Sequence, residues 1–189
     1  QTYAMVRHPD MPATMFREMW RVLQAGHGWW GQLKNRTKSG GSFWMEAAIS
    51  PIRDDGGDVT GYISVGHDIS DRIKAITDPL TGLFNRLKLD ETLQSEIIRF
   101  DRYGYDFSLI LLDLDEFKAI NDSYGHQRGD RVLQELTGLV RQRLRITDVF
   151  ARWGGEEFLI LLPHTSLAEA SALAETIRRL VEEHAFSID

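Results

Sequence analysis

The order of apolar and polar positions divides the chain into two stretches with different predicted structure. Within residues 12–24, apolar side chains recur at helical spacing, which predicts one amphipathic helix. Segments 29–38, 41–52 and 59–68 resemble strands, and the polar, glycine-rich residues 53–58 fit a hairpin turn between the last two. The first part of the chain is therefore predicted to be a helix followed by an antiparallel meander.

Farther along the chain, predicted helices alternate with apolar segments. Helices are predicted over residues 86–100 and 130–144, and a capping box at Ser166 and Glu169 opens a last helix. Residues 107–112 form a nearly unbroken apolar run, which predicts a strand buried on both faces.

Two short apolar segments and a pair of glycines complete the pattern. Segments 149–153 and 158–162 flank Gly154 and Gly155, which predicts a hairpin that turns on the two glycines. Helices alternating with strands indicate an α/β or α+β domain. The fold class predicted for the whole chain is α+β, with an antiparallel sheet first and an α/β sheet unit behind it.

Composition excludes several classes of protein. Since the 189 residues include no cysteine, disulfides, thiolate metal sites and cysteine nucleophiles are excluded. Every apolar run is too short to cross a bilayer and no signal-peptide pattern opens the chain, so a soluble, cytoplasmic protein is expected. The net charge of −6 argues against nonspecific binding to nucleic acid.

The negative charge is concentrated in the second part of the chain. Residues 1–77 carry nine basic and eight acidic side chains, whereas residues 78–189 carry thirteen and twenty. An acidic domain binds an anionic substrate through a metal ion or a local basic group. The second part would therefore need such an intermediary for a phosphorylated ligand.

Two carboxylates could supply that metal site. Asp113 ends the predicted strand 107–112, and Glu156 directly follows the two glycines, whose lack of Cβ lets a phosphate approach the backbone. Mg²⁺ is usually held by one or two carboxylates together with substrate phosphates. Acidic residues at strand ends are also often solvated loop groups, and spacing alone leaves both interpretations open.

Six short blocks resemble GGDEF-type diguanylate cyclase domains and stand in the family's order. The blocks are DPLTGLFNR (78–86), DLDEFK (113–118), ND (121–122), YGH (124–126), GD (129–130) and RWGGEEF (152–158). The resemblance implies a nucleotide-cyclase or palm-like α/β sheet and the synthesis of cyclic di-GMP from two GTP. It also implies Mg²⁺ or Mn²⁺ as cofactor and a homodimer, because each domain holds one GTP.

The resemblance assigns catalytic and metal-binding roles to the acidic residues. Asp113, the backbone carbonyl of Leu114 and Glu156 would ligate the metal at the GTP phosphates. Glu157 would contact the metal or help to deprotonate the attacking hydroxyl. The catalytic set implied is Asp113, Glu156 and Glu157.

The resemblance also implies a substrate-binding set. Its members are Phe117, Lys118, Asn121, Asp130, Gly154 and Gly155. Phe117 and Lys118 would lie in a loop around the phosphates, while Asn121 and Asp130 would bind the guanine edge. A carboxylate accepts from the guanine N1–H and N2–H groups, which adenine does not present in that arrangement. Asp130 could instead serve as a helix N-cap before Val132.

A product-binding site is implied by the spacing of Arg145 and Asp148 before the two glycines. It matches the family's inhibitory RxxD motif, in which the arginine and the aspartate bind cyclic di-GMP. The alternative is that Arg141, Arg143 and Arg145 interact with the dipole at a helix end.

The first part of the chain resembles a PAS sensory domain of the aerotaxis-receptor type. The resemblance rests on RHPDMP (7–12), Phe16, Trp20, Gly26, Trp29, Trp30, KNR (34–36), Lys38, Gly40 and FW (43–44). Some relatives bind FAD, and Arg7, His8, Asp10 and Trp29 are the residues that would contact a flavin here. Core packing is the alternative for the tryptophans, and a haem at His8 is a weaker one.

The resemblance sets the expected domain bounds. A partial PAS domain would occupy residues 1–70, a short linker 71–77 and a GGDEF domain 78–189. GGDEF domains normally continue with further strands, a helix and basic residues, so the resemblance leaves open whether this chain is active alone. A receptor for GTP or cyclic di-GMP without catalysis, and a purely sensory fragment, are the alternative functions.

Overall fold

The computed structural model describes residues 7–187 and forms two compact units. They comprise Gln1–Ala75, here called the front unit, and Ile76–Asp189, here called the rear unit. The front elements are α1 (Ala13–Gln24), β1 (Trp29–Arg36), β2 (Ser42–Arg53), β3 (Val59–Asp68) and α2 (Ser70–Ile76), which runs to the boundary.

The front unit is a three-stranded antiparallel sheet with one helix packed against it. The strand order is β1-β2-β3, as the predicted meander requires. Asp54 shapes the β2–β3 turn because its Oδ1 accepts from the backbone amides of Gly56 (3.0 Å) and Asp58 (2.9 Å). From α1, the buried Met19 and Leu23 lie in one core cluster with apolar residues of the sheet. The predicted helix and meander are confirmed.

The rear unit alternates helices with a second antiparallel sheet. Its elements are α3 (Arg86–Tyr103), β4 (Phe107–Asp113), α4 (Phe117–Tyr124), α5 (His126–Arg141), β5 (Val149–Gly154), β6 (Glu157–Pro163) and α6 (Leu167–Glu182). The strand order is β4-β6-β5. The predicted capping box at Ser166 and Glu169 opens α6. The α+β fold class is confirmed.

Alternating residues of β6 build a core on each face of this sheet. Phe158, Ile160 and Leu162 are buried in the cluster that also contains apolar residues of α5 and α6. Leu161 points to the opposite face, where it is buried with Leu89 of α3. This double packing fixes β6, and with it the β5–β6 turn at one end of the sheet.

β4 differs from its prediction as a strand buried on both faces. Ile110 is buried, but Leu109 and Leu111 are 45% and 65% exposed. Among the described residues β4 pairs only with β6 and lies at an edge of the sheet. The helix on that face, α3, packs against β5 and β6. The apolar run therefore predicted the strand correctly, but its predicted burial on both faces is wrong.

The start of one helix and the presence of another also differ from the prediction. α5 begins at His126 rather than at residue 130, and α4 was not predicted as a helix. Gly125 separates the two helices with φ +82°, a conformation that glycine adopts without steric cost. Within residues 7–187, none of the helices combines the length and the hydropathy needed to cross a membrane.

Candidate active site

Three carboxylates lie at one end of the rear sheet. Asp113 is the last residue of β4, and the antiparallel register pairs it with Glu157, the first residue of β6. Cross-strand partners project to the same face, with Cβ atoms about 5 Å apart. Glu156 occupies the turn directly before Glu157. The fold thus brings Asp113 to the end of the sheet that carries Glu156 and Glu157, which lie more than forty positions later in the sequence.

The turn itself is displaced by one residue from its prediction. Gly154 is the last residue of β5, and the turn residues are Gly155 and Glu156. Gly155 has φ +50°, and a Cβ at either glycine would meet no atom within 4 Å. The backbone of the turn is therefore open to a ligand, as the phosphate interpretation requires.

Arg152 anchors this turn to the first residues of the rear unit. Its Nε and Nη2 donate to the carbonyl oxygen of Gly155 at 2.9 and 2.7 Å. Its Nη1 lies 3.2 Å from both carboxylate oxygens of Asp78. The side chains of Arg152 and Asp78 are each only 17% exposed. One guanidinium therefore joins the turn that carries Glu156 to Asp78.

Asp78 is held in its ionised form by its neighbours. Burial raises the pKa of Asp78, but the hydrogen bonds from Thr81 and the charge and hydrogen bonds of Arg152 outweigh it and lower the pKa below its ordinary value. Thr81 donates from its backbone amide (2.8 Å) and from its hydroxyl (2.7 Å). Sequence reasoning missed this role because Asp78 and Arg152 lie 74 positions apart.

The donor set at this end of the sheet fits a hard divalent cation. Asp113, Glu156 and Glu157 make no hydrogen bond or ion pair through their carboxylates within residues 7–187. In the same range no group of three or more His, Cys, Asp or Glu side chains converges as a metal site. Carboxylate oxygens suit Mg²⁺, which is usually held by one or two carboxylates and completes its shell with phosphates and water.

Phe117 and Lys118 are the first two residues of α4, not part of a loop as the resemblance implied. The first amides of a helix have no intrahelical acceptor and favour anions. Glu116 precedes them at φ 59°, in the left-handed region, and its side chain makes no capping hydrogen bond. The ring of Phe117 is buried in the core, so its amide rather than its ring is the group available to a phosphate.

α4 and α5 bring the two guanine-binding candidates together. Asn121 lies on α4, and a Cβ at the buried Gly129 of α5 would overlap its Oδ1. Glycine at 129 therefore allows the amide of Asn121 to sit against α5, immediately before Asp130. Asp130 is exposed and is the fifth residue of α5, so the alternative that it caps the helix is wrong. The role of Gly129 was not found from the sequence.

A cavity of about 420 Å³ opens at the end of β4. Asp113 and Leu114 line it at the end of β4, and Ile120 lines it from α4. Apolar side chains of α5 and α6 form much of its remaining wall. Concave, largely apolar sites with a few polar groups are typical of small-ligand binding.

Arg145 and Asp148 line a second cavity, of about 430 Å³, after the end of α5. The Oδ2 atom of Asp148 accepts from the backbone amide of Arg145 at 2.7 Å. The Oδ1 atom is buried and has no hydrogen-bond partner among the described residues. The two members of the predicted product site thus share one cavity, and Asp148 retains an acceptor for a ligand.

The four flavin candidates contact other residues of the front unit. Asp10 accepts from Lys34 at 2.7 Å and lies 3.3 Å from the Nδ1 atom of His8. Arg7 donates to a backbone carbonyl four residues farther on. Trp29 packs against the apolar core of the front unit, as its alternative interpretation proposed. FAD binding stays a prediction.

Comparison with known proteins follows the division into two units. A family model described as "Diguanylate cyclase, GGDEF domain" matches residues 75–189, and a model of the PAS fold matches residues 1–66. The diguanylate cyclase DgcP of Pseudomonas aeruginosa is 52% identical over 110 residues, which are 58% of this chain and 16% of that protein. Both resemblances seen in the sequence are confirmed.

Solved structures show the same similarity. Diguanylate cyclase SiaD of Pseudomonas aeruginosa, solved with its activator SiaC, matches with a TM-score of 0.58 and 45% identity, over 62% of this chain and 45% of that one. The coiled coil and GGDEF domain of DgcB from Caulobacter crescentus, solved with c-di-GMP, matches with a TM-score of 0.55 and 32% identity, over 57% and 56% of the two chains. The match therefore spans only part of each relative.

Proposed function

This chain belongs to the GGDEF family of diguanylate cyclases, and we propose that its rear unit condenses two GTP into cyclic di-GMP and pyrophosphate. The observation that supports this proposal most strongly is the pairing of Asp113 with Glu157 beside the turn that carries Glu156. These carboxylates have no other partner among the described residues, so they are available to bind a metal–nucleotide complex.

The proposed reaction joins the two nucleotides in two equivalent steps. The 3′-hydroxyl oxygen of one GTP attacks the α-phosphorus of the other, the bond to the pyrophosphate breaks, and the reciprocal step closes the ring. Asp113, the carbonyl of Leu114 and Glu156 would hold Mg²⁺ or Mn²⁺. The bound ion would neutralise charge that develops on the phosphates. Glu157 would accept the proton from the 3′-hydroxyl group, and it is proposed for this role because its carboxylate has no hydrogen-bond or ion-pair partner among the described residues.

The remaining residues of the site bind and orient the substrate. The amides of Phe117 and Lys118 at the start of α4, and the open backbone of Gly154 and Gly155, would contact the phosphates. At the guanine edge the carboxylate of Asp130 would accept from the N1–H and N2–H groups, and the side-chain amide of Asn121 would form a further hydrogen bond. Since each rear unit provides one such set, the reaction needs two copies of the chain with their GTP molecules facing each other. The front unit would regulate this encounter.

Incubation with nucleotide and metal tests the proposed activity. The protein would be mixed with GTP and MgCl₂, and cyclic di-GMP and pyrophosphate would be followed by chromatography, with ATP and a chelator as controls. We expect both products from GTP, and neither from ATP or after chelation. Binding of GTP or cyclic di-GMP without any product would favour the receptor interpretation over the cyclase.

Arg145→Ala is expected to relieve product inhibition. The change removes a guanidinium from the cavity that Asp148 lines, while the carboxylates at the β4–β6 end stay in place. Loss of a charge-assisted hydrogen bond predicts at least about a tenfold higher inhibition constant for cyclic di-GMP. Initial rates measured against added cyclic di-GMP would show this, and superimposable inhibition curves would remove the site.

A further inference from the structure

Arg141 lies in the same cavity as the RxxD pair. It is the last residue of α5, and together with Arg145 and Asp148 it lines the cavity of about 430 Å³. Its Nη2 donates to the carbonyl oxygen of Gly82 at 2.8 Å, and Gly82 lines the cavity as well. The cavity therefore contains two guanidinium groups, of which the RxxD motif identifies only one.

Most of the hydrogen-bonding capacity of Arg141 is unused. A guanidinium has five N–H donors, and the contact with Gly82 engages one nitrogen. Arg141 makes no ion pair with a carboxylate among residues 7–187, so its charge is not neutralised within the chain. Asp148 is the carboxylate that lines the same cavity. The cavity thus combines two cations with one anion.

This combination suits a cyclic guanine dinucleotide. Such a ligand carries two phosphodiester charges and two guanine edges, and one arginine can pair with only one of these groups at a time. Arginine binds phosphate oxygens, or O6 and N7 of guanine, through two parallel hydrogen bonds. The carboxylate of Asp148 would accept from the guanine N1–H and N2–H groups.

We propose that Arg141 is a third binding residue for cyclic di-GMP, beside Arg145 and Asp148, an inference that rests on the proposed product site. Its guanidinium pairs with the second phosphodiester or guanine of the ligand while keeping its hydrogen bond to Gly82. The predicted effect is on affinity for cyclic di-GMP and not on the carboxylates that carry the chemistry.

A purely structural role would be to hold the turn near Gly82, and the chain offers a matched control for it. Gln134, also on α5, donates from its Nε2 to the carbonyl oxygen of Leu80 at 3.0 Å. It thus anchors the same turn from the same helix, but it does not line the cavity. Gln134→Ala removes a turn contact alone, whereas Arg141→Gln removes a turn contact and a charge.

Isothermal titration of the 189-residue protein with cyclic di-GMP tests the proposal without depending on turnover. We would compare the parent with Arg141→Gln, Arg141→Lys, Gln134→Ala and Arg145→Ala, and measure thermal unfolding of each. Loss of one charge-assisted contact predicts about a tenfold weaker affinity for Arg141→Gln. Arg141→Lys should recover part of that loss, because the charge is kept, and Gln134→Ala should bind like the parent.

Two results would overturn the proposal. If Arg145→Ala weakens binding and Arg141→Gln does not, the RxxD site stands and the role of Arg141 is wrong. If Gln134→Ala and Arg141→Gln weaken the binding of cyclic di-GMP equally, the effect comes from the turn, and the proposed role of Arg141 is again wrong. If neither the parent nor any variant binds cyclic di-GMP, the proposed product site itself fails, and the role of Arg141 fails with it.

Discussion

Glu156→Gln is expected to lower the rate of cyclic di-GMP synthesis by at least about a hundredfold, as losses of groups that stabilise transition-state charge do. The amide is nearly the same size as the carboxylate but carries no charge, so it is a poor ligand for Mg²⁺. Glu156 is partly buried in the β5–β6 turn, and its carboxylate makes no hydrogen bond or ion pair among the described residues. Initial rates at saturating GTP and MgCl₂, with unfolding curves for both proteins, would measure the effect.

Asp106→Asn provides the matched control for this substitution. Asp106 is an exposed carboxylate of the rear unit, but it directly precedes β4 and lies at the end of that strand opposite Asp113. Its removal should leave the rate unchanged. Asp113→Asn is a second test at the other strand and should match the loss seen at Glu156. Unchanged turnover in either site variant would contradict the metal assignment.

Arg152→Ala is expected to lower the free energy of unfolding of the rear unit by about 3 kcal/mol. Removing one member of a desolvated ion pair leaves the other charge without compensation, which typically costs about 3–5 kcal/mol for fully buried pairs. This pair is 17% exposed on both sides, so the lower end applies. The carbonyl of Gly155 also loses two donors. Urea unfolding, with hydrogen exchange of the β5 and β6 amides, would locate the loss.

Arg179→Ala is the control for that measurement. Arg179 pairs with Glu175 at 2.8 Å, but the two side chains are 66% and 45% exposed, and exposed pairs contribute at most about 1 kcal/mol. We expect it to unfold nearly like the parent. If the free energy of unfolding falls equally little in both variants, the Asp78–Arg152 pair does not stabilise the unit.

The same pair should make stability fall in acid. The folded-state pKa of Asp78 is below its ordinary value of 3.8. Its contribution is therefore fully present above pH 3.8 and is lost as the pH falls through the folded pKa. Arg152→Ala should flatten this part of the pH profile, since it removes the partner whose charge lowers the pKa. An unaltered acid slope would show that other carboxylates account for it.

The local pattern of the sequence predicted helices and strands better than it predicted which of them are buried. The capping box at Ser166 and the meander of the front sheet depend on neighbouring residues, so the sequence reported them directly. Burial of β4 depends on which strands and helices lie beside it, and the apolar run carries no such information. α4 was missed because its eight residues include Asn121, Asp122 and Ser123, which favour turns as much as helix.

Site residues that belong to a sequence motif were predicted, whereas residues that only the fold brings together were missed. Asp113 and Glu156 came from motif blocks, and their approach through the β4–β6 register could not be read from spacing. The contact of Gly129 with Asn121 and the bond from Arg152 to Gly155 each require a helix pair or a hairpin to form first. Long-range contacts of this kind leave no periodic signal in one sequence.

The outer edge of β4 has a practical consequence for handling the protein. A strand edge with unpaired amides and carbonyls is a template for a neighbouring strand, and proteins often protect such edges with charged residues. Here Leu109 and Leu111 are exposed on one face of that strand. At high concentration the protein would thus tend to self-associate by pairing of strand edges and to precipitate. A lysine in place of Leu109, four residues before the proposed ligand Asp113, is the natural gatekeeper for expression and crystallisation.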